Sequence, residues 1–248
     1  MFSFSITQWQ AWAPGIDTTD AWREWAHHPY CPLGDGQTPD LGFLPSLQRR
    51  RLSPLARISL GCAWPLAAGR APMPVVYASH HGETPRGYEL LTTLAAEEPL
   101  SPTAFSLSVH NAIAGLWSIL RQETQESVAL SAQGDGMESA VAEACMLLHA
   151  GHPDVLVILA ETRPPRDYAP WIDDVPFSYA VALRLTAGQG FHLALDESPA
   201  DDALGAPAWP SPLSLLRHLL LDSRQWRHTH GPRAWQWRRP AAPGTLAS

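Results

Sequence analysis

The segment from Val128 to Ala150 places the strictest limit on the fold, because it predicts a buried strand, a tight turn and an amphipathic helix in direct succession. Such a corner lifts one side chain clear of the sheet, and many α/β enzymes hold a nucleophile there. In this chain the exposed corner is Gln133, with a glycine on each side of Asp135 behind it. A glutamine amide cannot be deprotonated and is not a nucleophile. The turn therefore has the shape of a catalytic elbow without the reactive atom.

Apolar periodicity on both sides of the turn predicts an α/β fold. Apolar residues from Val109 to Leu120 recur at helical spacing, and those of the helix after Gln133 repeat the same order. Residues Val155 to Ala160 form a continuous apolar run, as in a strand that is covered on both faces. Strands and helices that alternate in this way are typical of an α/β fold in which at least part of the sheet is parallel.

Composition divides the chain into two regions. Residues 1–196 carry the strand and helix patterns, whereas residues 197–248 contain a linker rich in Pro, Ala, Gly and Asp, a short helix and a tail rich in Arg and Trp. We therefore predict an α/β domain over residues 1–196 and a helical or irregular C-terminal extension over residues 197–248.

Charge and cysteine content exclude several classes of function. The net charge of −7 argues against a general nucleic-acid binder. All 17 basic residues are arginine, which excludes a P-loop lysine, a Schiff-base lysine and a Ser-Lys pair. Cys31, Cys62 and Cys145 are far apart, suit a reducing compartment and lack metal-ligand spacing. No secretion signal is visible, nor an apolar run of the about 20 residues that a membrane span needs, so we expect a cytoplasmic protein.

Two neighbouring blocks resemble the N-terminal half of β-ketoacyl-ACP synthases, which belong to the thiolase-like superfamily. The block SPTAFSLSVHNAIAGLWSI, Ser101 to Ile119, is similar to the family segment that ends in an Asn-x-x-Ala-Gly helix. In ALSAQGDG, Gln133 stands where the family has its nucleophilic cysteine. GHPDVLVILAE is similar to the family's next strand and retains Asp154 and Glu161. The resemblance implies a thiolase-like half-fold, a mixed sheet with flanking helices, followed by a short C-terminal extension.

The departures from the family pattern imply a subunit without chemistry of its own. The family's later half supplies two histidines that stabilise the thioester oxyanion and drive decarboxylation, and this sequence contains no match to that half. A condensing site needs a thiolate and donors aimed at the oxyanion. Glutamine in the cysteine's place is what a resemblance to chain-length factors implies; these are inactive paralogues that pair with an active synthase in type II polyketide systems. Half-length members accompany gene sets for aryl polyene and xanthomonadin-like pigments.

The resemblance thus implies a non-catalytic chain-length-factor subunit that stabilises its partner and bounds the partner's acyl channel. The implied partners are a full-length β-ketoacyl synthase and, through the complex, an acyl carrier protein; no cofactor, metal, nucleic acid or stable membrane insertion is expected. A missing half leaves apolar faces uncovered, and such faces mark interaction sites. The residues predicted at the interface or along the channel are Ser108, Val109, His110, Ala112, Ile113, Leu116, Trp117, Gln133, Gly134, Asp135 and Met137.

Alternatives are open at several positions. The apolar stripe that begins at Val109 would serve a partner's channel or an ordinary core. Gln133 is either a marker of lost chemistry or a turn residue that bonds nearby backbone. His80-His81 with Glu83 suggests a metal site, but adjacent histidines in a strand point to opposite faces, which favours chance. The Arg/Trp tail would dock an acidic carrier protein or form a solvated, loosely ordered terminus.

Two other classes of function are also open. The first is an independent acyl-thioester transferase or hydrolase that uses Cys62, Cys145 or a serine, although Cys145 lies on the apolar stripe of its helix, where a small core residue is expected. The second is an interaction protein with a decayed synthase scaffold and no influence on product length.

Overall fold

A seven-stranded mixed sheet organises the computed structural model, which describes residues 1–34, 37–196 and 209–240. The strands are β1 (Phe2–Trp12), β2 (Val75–Ala78), β3 (Ser127–Leu130), β4 (Asp154–Glu161), β5 (Tyr179–Asp196), β6 (Gln225–His230) and β7 (Arg233–Arg238). Their order is β3-β2-β4-β5-β7-β6, with β1 paired to β5. Strand β2 is parallel to β3 and β4, whereas the other pairs are antiparallel. The predicted α/β fold with a partly parallel sheet is confirmed.

Helices cover both faces of this sheet. The α-helices in the described ranges are α1 (Thr19–His27), α2 (Ser46–Arg49), α3 (Pro54–Ala67), α4 (Thr84–Ala95), α5 (Pro102–Ser106), α6 (Ala112–Arg121), α7 (Gly136–His149) and α8 (Ser211–Leu220). Helices α1, α7 and α8 pack on one face, and α3 and α6 pack on the other. None of the helices in these ranges is both long enough and apolar enough to cross a bilayer.

The position of strand β4 explains its continuous apolar run from Val155 to Ala160. Val155, Val157 and Leu159 point into the core under α7, and the alternating residues Leu156 and Ile158 point into the core under α3. Successive side chains of a strand lie on opposite faces, so a strand covered on both sides buries every residue. The uninterrupted apolar run therefore follows from the position of β4 between two helical layers.

The C-terminal tail is part of the sheet. Strands β6 and β7 form an antiparallel hairpin around Gly231, and β7 pairs with β5 through Leu193 and Trp237. Trp226, Trp235 and Trp237 are buried. The loosely ordered interpretation is wrong for these strands, because tryptophans at two-residue spacing place large apolar surfaces on one strand face. Helix α8 occupies the place of the predicted short helix. The predicted linker at 197–208 lies outside the described residues, and the domain boundary at residue 197 remains a prediction.

Candidate functional site

The predicted elbow lies between β3 and α7, at one end of the sheet. Gln133 is exposed at the corner, and its carbonyl accepts a hydrogen bond of 2.7 Å from the Asp135 N–H. Gly134 has a φ of +66°, in the left-handed region that favours glycine. A Cβ at Gly134 would also overlap the imidazole of His230. The corner is therefore a tight turn whose backbone lies directly against the C-terminal hairpin.

Two buried carboxylates fasten the elbow to the hairpin. Asp135 is fully buried and accepts hydrogen bonds of 2.9 Å from Arg233 and 2.9 Å from the Trp235 indole. Glu138, also buried, accepts a 3.0 Å hydrogen bond from the Trp237 indole. These carboxylates lie at the N-terminal end of α7, where the helix dipole favours negative charge. The hairpin thus neutralises and hydrogen-bonds acidic groups that the elbow alone would leave buried without partners.

His228 on β6 completes this cluster. Its Nδ1 lies 3.1 Å from Glu138 Oε1. Burial acts to lower the pKa of His228, but the close carboxylate of Glu138, with the charge of Asp135, outweighs it and raises that pKa above its ordinary value. The imidazolium form of His228 is therefore favoured beside the two carboxylates.

A second polar cluster lies beside the elbow, at the end of β2. His80 Nδ1 is 2.8 Å from Asp174 Oδ2, and His81 Nε2 is 2.7 Å from Asp174 Oδ1. The two rings are 4.1 Å apart between centroids. The expectation that these histidines point to opposite faces is wrong, because they lie in the turn after β2 and not within the strand. Both side chains converge on one carboxylate.

Glu161, at the end of β4, holds the backbone of this histidine turn. Its carboxylate accepts hydrogen bonds from the N–H groups of His80 and His81. Burial raises the pKa of Glu161 to about 7, although the backbone hydrogen bonds and the charge of His81 act to lower it. Glu161, one of the residues that match the synthase pattern, thus holds the backbone of the turn after β2 in place beside the elbow.

The two clusters line a shared opening. A cavity of about 390 Å³ is bounded by Gly134 of the elbow, Asp174 of the histidine cluster, and His228 and His230 of the hairpin. Its walls therefore carry imidazole and carboxylate groups. Within the described residues, His80, His81 and Asp174 form the one group whose donor atoms are close enough together to hold a metal ion.

Comparison with known proteins identifies the scaffold. The profile for the beta-ketoacyl synthase N-terminal domain matches residues 22–238. The chain belongs to the beta-ketoacyl synthase family. A solved structure of a ketosynthase (ApeO) in complex with its chain length factor (ApeC), from Xenorhabdus doucetiae, contains a similar chain at 31% identity. That match has a TM-score of 0.85 and covers 96% of this chain and 100% of the other.

More distant synthases share the fold. The ishigamide ketosynthase/chain length factor is 15% identical, with a TM-score of 0.58, and the match covers 81% of this chain and 68% of that one. A beta-ketoacyl synthase from Burkholderia phymatum is 15% identical, with a TM-score of 0.57, and the match covers 80% of this chain and 65% of that one. A search of the curated proteins gave no match. The expected thiolase-like half-fold is confirmed.

Within this synthase fold, several predicted interface residues fill the chain's own core. Ile113 and Trp117 are 1% and 2% exposed, and they pack under the sheet with α3. Ala112 and Met137 are also buried. The apolar stripe of α6 therefore serves an ordinary core, as the second interpretation of that stripe proposed. Val109, which begins the stripe, lies before the helix and is exposed, and Ile119, which is outside the stripe, is exposed as well.

The predicted residues that do not belong to this core or to the elbow lie at or near the surface. Ser108, His110 and Leu116 are half-buried, and the Ser108 hydroxyl donates a 2.8 Å hydrogen bond to the Phe105 carbonyl. His110 Nε2 lies 2.7 Å from the Ser79 carbonyl, which is an acceptor only, so this nitrogen donates. The region before α6 is thereby attached to the end of β2, next to the histidine cluster.

The buried cysteines are poor candidates for a nucleophile. Burial raises the pKa of the Cys145 thiol to about 12 and raises that of Cys62 as well. The thiolate is the reactive form of cysteine, so both groups are held in the unreactive state. Sequence reasoning missed Asp174, Arg233 and His228 as members of the clusters. The alternation of Trp and Arg in the tail was the available signal for the hairpin residues, whereas no pattern around Asp174 marks its contact.

Proposed function

We propose that this chain is the non-catalytic chain-length-factor subunit of a heterodimeric β-ketoacyl-ACP synthase. It stabilises an active synthase and bounds that partner's acyl channel during elongation of a polyene-type chain delivered by an acyl carrier protein. The observation that carries the proposal is the exposed Gln133 at the elbow of a synthase fold, where a glutamine amide offers no nucleophile. The similarity to a chain from a complex of a ketosynthase with its chain length factor supports the same role.

An edge strand and exposed apolar side chains support a protein partner. Strand β3 lies at an edge of the sheet, and β2 is its pairing strand among the described residues. An edge strand presents unpaired N–H and C=O groups to which another chain can add. Helix α6, which contacts β3, carries Ile119 with 73% of its side chain exposed. Phe105 of α5 and Leu91 of α4 are exposed apolar side chains as well. Apolar groups in such numbers favour an interface.

Val109 is the residue that we assign to the channel wall. It is 48% exposed, and its carbonyl accepts a 3.1 Å hydrogen bond from the Ala112 N–H. The adjacent His110 is fixed to the Ser79 carbonyl, so the backbone on both sides of Val109 is held in place. A fixed apolar side chain limits a growing acyl chain by steric exclusion. We assign this role to Val109 and not to Ile113 and Trp117, because those two side chains are buried in the chain's own core. Their truncation would open a cavity there.

Co-expression with a full-length β-ketoacyl synthase tests the proposal. We expect the two chains to co-purify and to extend carrier-bound acyl groups. Val109→Trp is expected to shorten the products and Val109→Ala to lengthen them, because the side chain's bulk sets the available depth. Leu195→Ala, an exposed apolar residue on β5, is the matched control and is expected to leave product lengths unchanged. Mass spectrometry of the products reads out chain length.

Each rival function predicts a different outcome of that experiment. A chain that stays monomeric beside the synthase contradicts the proposed pairing. Pairing with unchanged lengths in both Val109 variants favours the interaction protein without influence on length. Turnover of acyl thioesters by the isolated chain, abolished in a Cys or Ser variant, favours the independent transferase or hydrolase. Gln133→Ala with full activity of the complex shows that this amide only fills the position.

A further inference from the structure

The histidine turn after β2 and the loop before β5 place three metal-binding side chains together. One imidazole nitrogen of His80, one of His81 and one carboxylate oxygen of Asp174 all lie within 4.8 Å of one another. We propose that these three residues bind one divalent transition-metal ion, with Zn²⁺ as the expected ion. The ion ties the turn after β2 to the loop before β5, next to the elbow but apart from its carboxylate cluster.

The donor set fits zinc in chemistry and spacing. Zn²⁺ takes imidazole nitrogen at about 2.0–2.1 Å and carboxylate oxygen at about 2.0–2.2 Å, so the donors of a tetrahedral site lie about 3.3 Å apart. Asp174 oxygens are now 2.8 Å from His80 Nδ1 and 2.7 Å from His81 Nε2. An ion that replaces these two hydrogen bonds lengthens each nitrogen–oxygen separation by about half an ångström, and rotation of the side chains supplies that change. Hard cations such as Ca²⁺ and Mg²⁺ prefer oxygen donors and fit this set poorly.

The backbone that carries the two histidines is held by its neighbours. The Glu161 carboxylate accepts hydrogen bonds from both histidine N–H groups, and the His80 carbonyl accepts a 3.2 Å hydrogen bond from the Ser131 hydroxyl. The Ser79 hydroxyl accepts a 2.8 Å hydrogen bond from the Gly82 N–H, which closes the turn. A site supported by such outer contacts keeps its ligands in place before the ion arrives.

The cluster is also open to solvent on one side. The side chains of His80, His81 and Asp174 are 31%, 15% and 37% exposed, so an ion can enter without unfolding. Asp174 also lines the cavity of about 390 Å³ between the loop and the hairpin. Three protein ligands leave a fourth position on Zn²⁺, which a water molecule or a small ligand in that cavity fills.

Titration of the untagged full-length chain with ZnCl₂, after removal of metals with a chelator, tests this site. Calorimetry is expected to give one ion per chain, and zinc is expected to raise Tm because it binds the folded state. Co²⁺ in place of Zn²⁺ is expected to give the visible absorption of a tetrahedral complex with nitrogen and oxygen ligands. His81→Gln and Asp174→Asn are each expected to weaken zinc binding by at least about tenfold.

The matched control is the other adjacent histidine pair of the chain. His27 and His28 are exposed at the end of α1, with ring centroids 6.4 Å apart. The double variant His27→Gln/His28→Gln is expected to bind zinc as the unaltered chain does. Absence of saturable binding, or binding lost in this double variant but retained in the Asp174 variant, overturns the proposal. Circular dichroism verifies the fold of each variant, and His80→Gln replaces any variant that does not fold.

Discussion

At the scale of single residues, the elbow is defined by a close approach between backbone and side chain. Gly134 combines a positive φ with direct contact to the His230 ring, so two separate constraints exclude a side chain there. Gly231 in the hairpin has a similar φ of +54°, but no heavy atom lies within 4 Å of the place a Cβ would take. Substitution of Gly231 therefore tests the cost of the backbone conformation alone, whereas substitution of Gly134 adds the cost of overlap with His230.

We expect Gly134→Ala to destabilise the chain more than Gly231→Ala does. The second variant carries only the left-handed backbone cost of about 1 kcal/mol, whereas the first adds displacement of His230, for a total on the order of 3 kcal/mol. Urea unfolding monitored by tryptophan fluorescence gives both free energies of unfolding. Equal losses would mean that the hairpin moves away from the elbow without cost.

Sequence patterns identified the corner but not its contacts. Gln133 was predicted because the strand, turn and helix are contiguous, and local chemistry is visible in contiguous residues. Asp174 lies 93 residues from His81, and a pairing of that kind depends on how the chain folds back. The sequence pattern around the two histidines predicts a strand, in which adjacent side chains point to opposite faces. Strand β2 instead ends at Ala78, and in the turn that follows it both rings converge on Asp174.

At the scale of elements, the tail is the largest departure from expectation. Strand β4 and helices α6 and α7 were predictable because their apolar periods are long and regular. The hairpin of β6 and β7 was not, because polar and charged residues separate its tryptophans and its stability depends on distant partners. Asp135 and Glu138 supply those partners at the start of α7.

The ion pair between Arg233 of the hairpin and Asp135 of the elbow is expected to contribute to the free energy of unfolding. Arg233→Met leaves Asp135 fully buried with one fewer charged donor, and we expect a loss of about 2 kcal/mol in unfolding free energy. Arg238→Met is the control, since this arginine is exposed on the same strand. Adding Asp135→Asn to the Arg233 variant removes the uncompensated charge and is expected to recover part of the loss. A double variant less stable than both single variants would contradict this assignment.

His228 makes the stability of the hairpin depend on pH. Its pKa in the folded chain is raised above the ordinary value of 6.5, so the folded state binds this proton more tightly than the unfolded state. The stabilisation is complete below pH 6.5 and is lost as pH rises through the folded-state pKa. The difference in unfolding free energy between the unaltered chain and His228→Gln is therefore expected to shrink as pH rises above 6.5.

His218 provides a comparison of opposite sign. Burial, with the charge of Arg217, lowers the pKa of His218 below its ordinary value. Its folded state binds the proton more weakly, so its contribution rises as pH rises toward 6.5 and then stays constant, whereas that of His228 falls above pH 6.5. Thermal unfolding of His228→Gln and His218→Gln between pH 5.5 and 8 measures both trends. Parallel trends in the two variants would show that the Glu138 contact does not govern His228.

At the scale of the whole molecule, the β3 end and the β6 end of the strand order have different surroundings. The hairpin pairs with β5 and is anchored by the buried Asp135 and Glu138, whereas β3, at the other end of the strand order, lies beside α6, on which Ile119 is exposed. A chain of this shape can bury its own core and still present one surface to a partner. The resemblance to synthases predicted the partner, but the periodicity of α6 pointed to its buried stripe and not to the opposite, exposed face.

That exposed face predicts which substitution separates the subunits. Ile119→Glu introduces a charge on the outer side of α6, and we expect it to weaken association with the synthase by about tenfold or more while the isolated chain keeps its Tm. Leu195→Glu makes the same change at an apolar residue of β5 that is 53% exposed, and its association is expected to be unaltered. Calorimetric titration of synthase with each variant measures the affinity. An interface buries particular side chains and is insensitive to a charge elsewhere on the surface. Equal weakening by both substitutions would therefore reflect the added charge alone. Weakening by Leu195→Glu only would place the interface on the opposite side of the sheet.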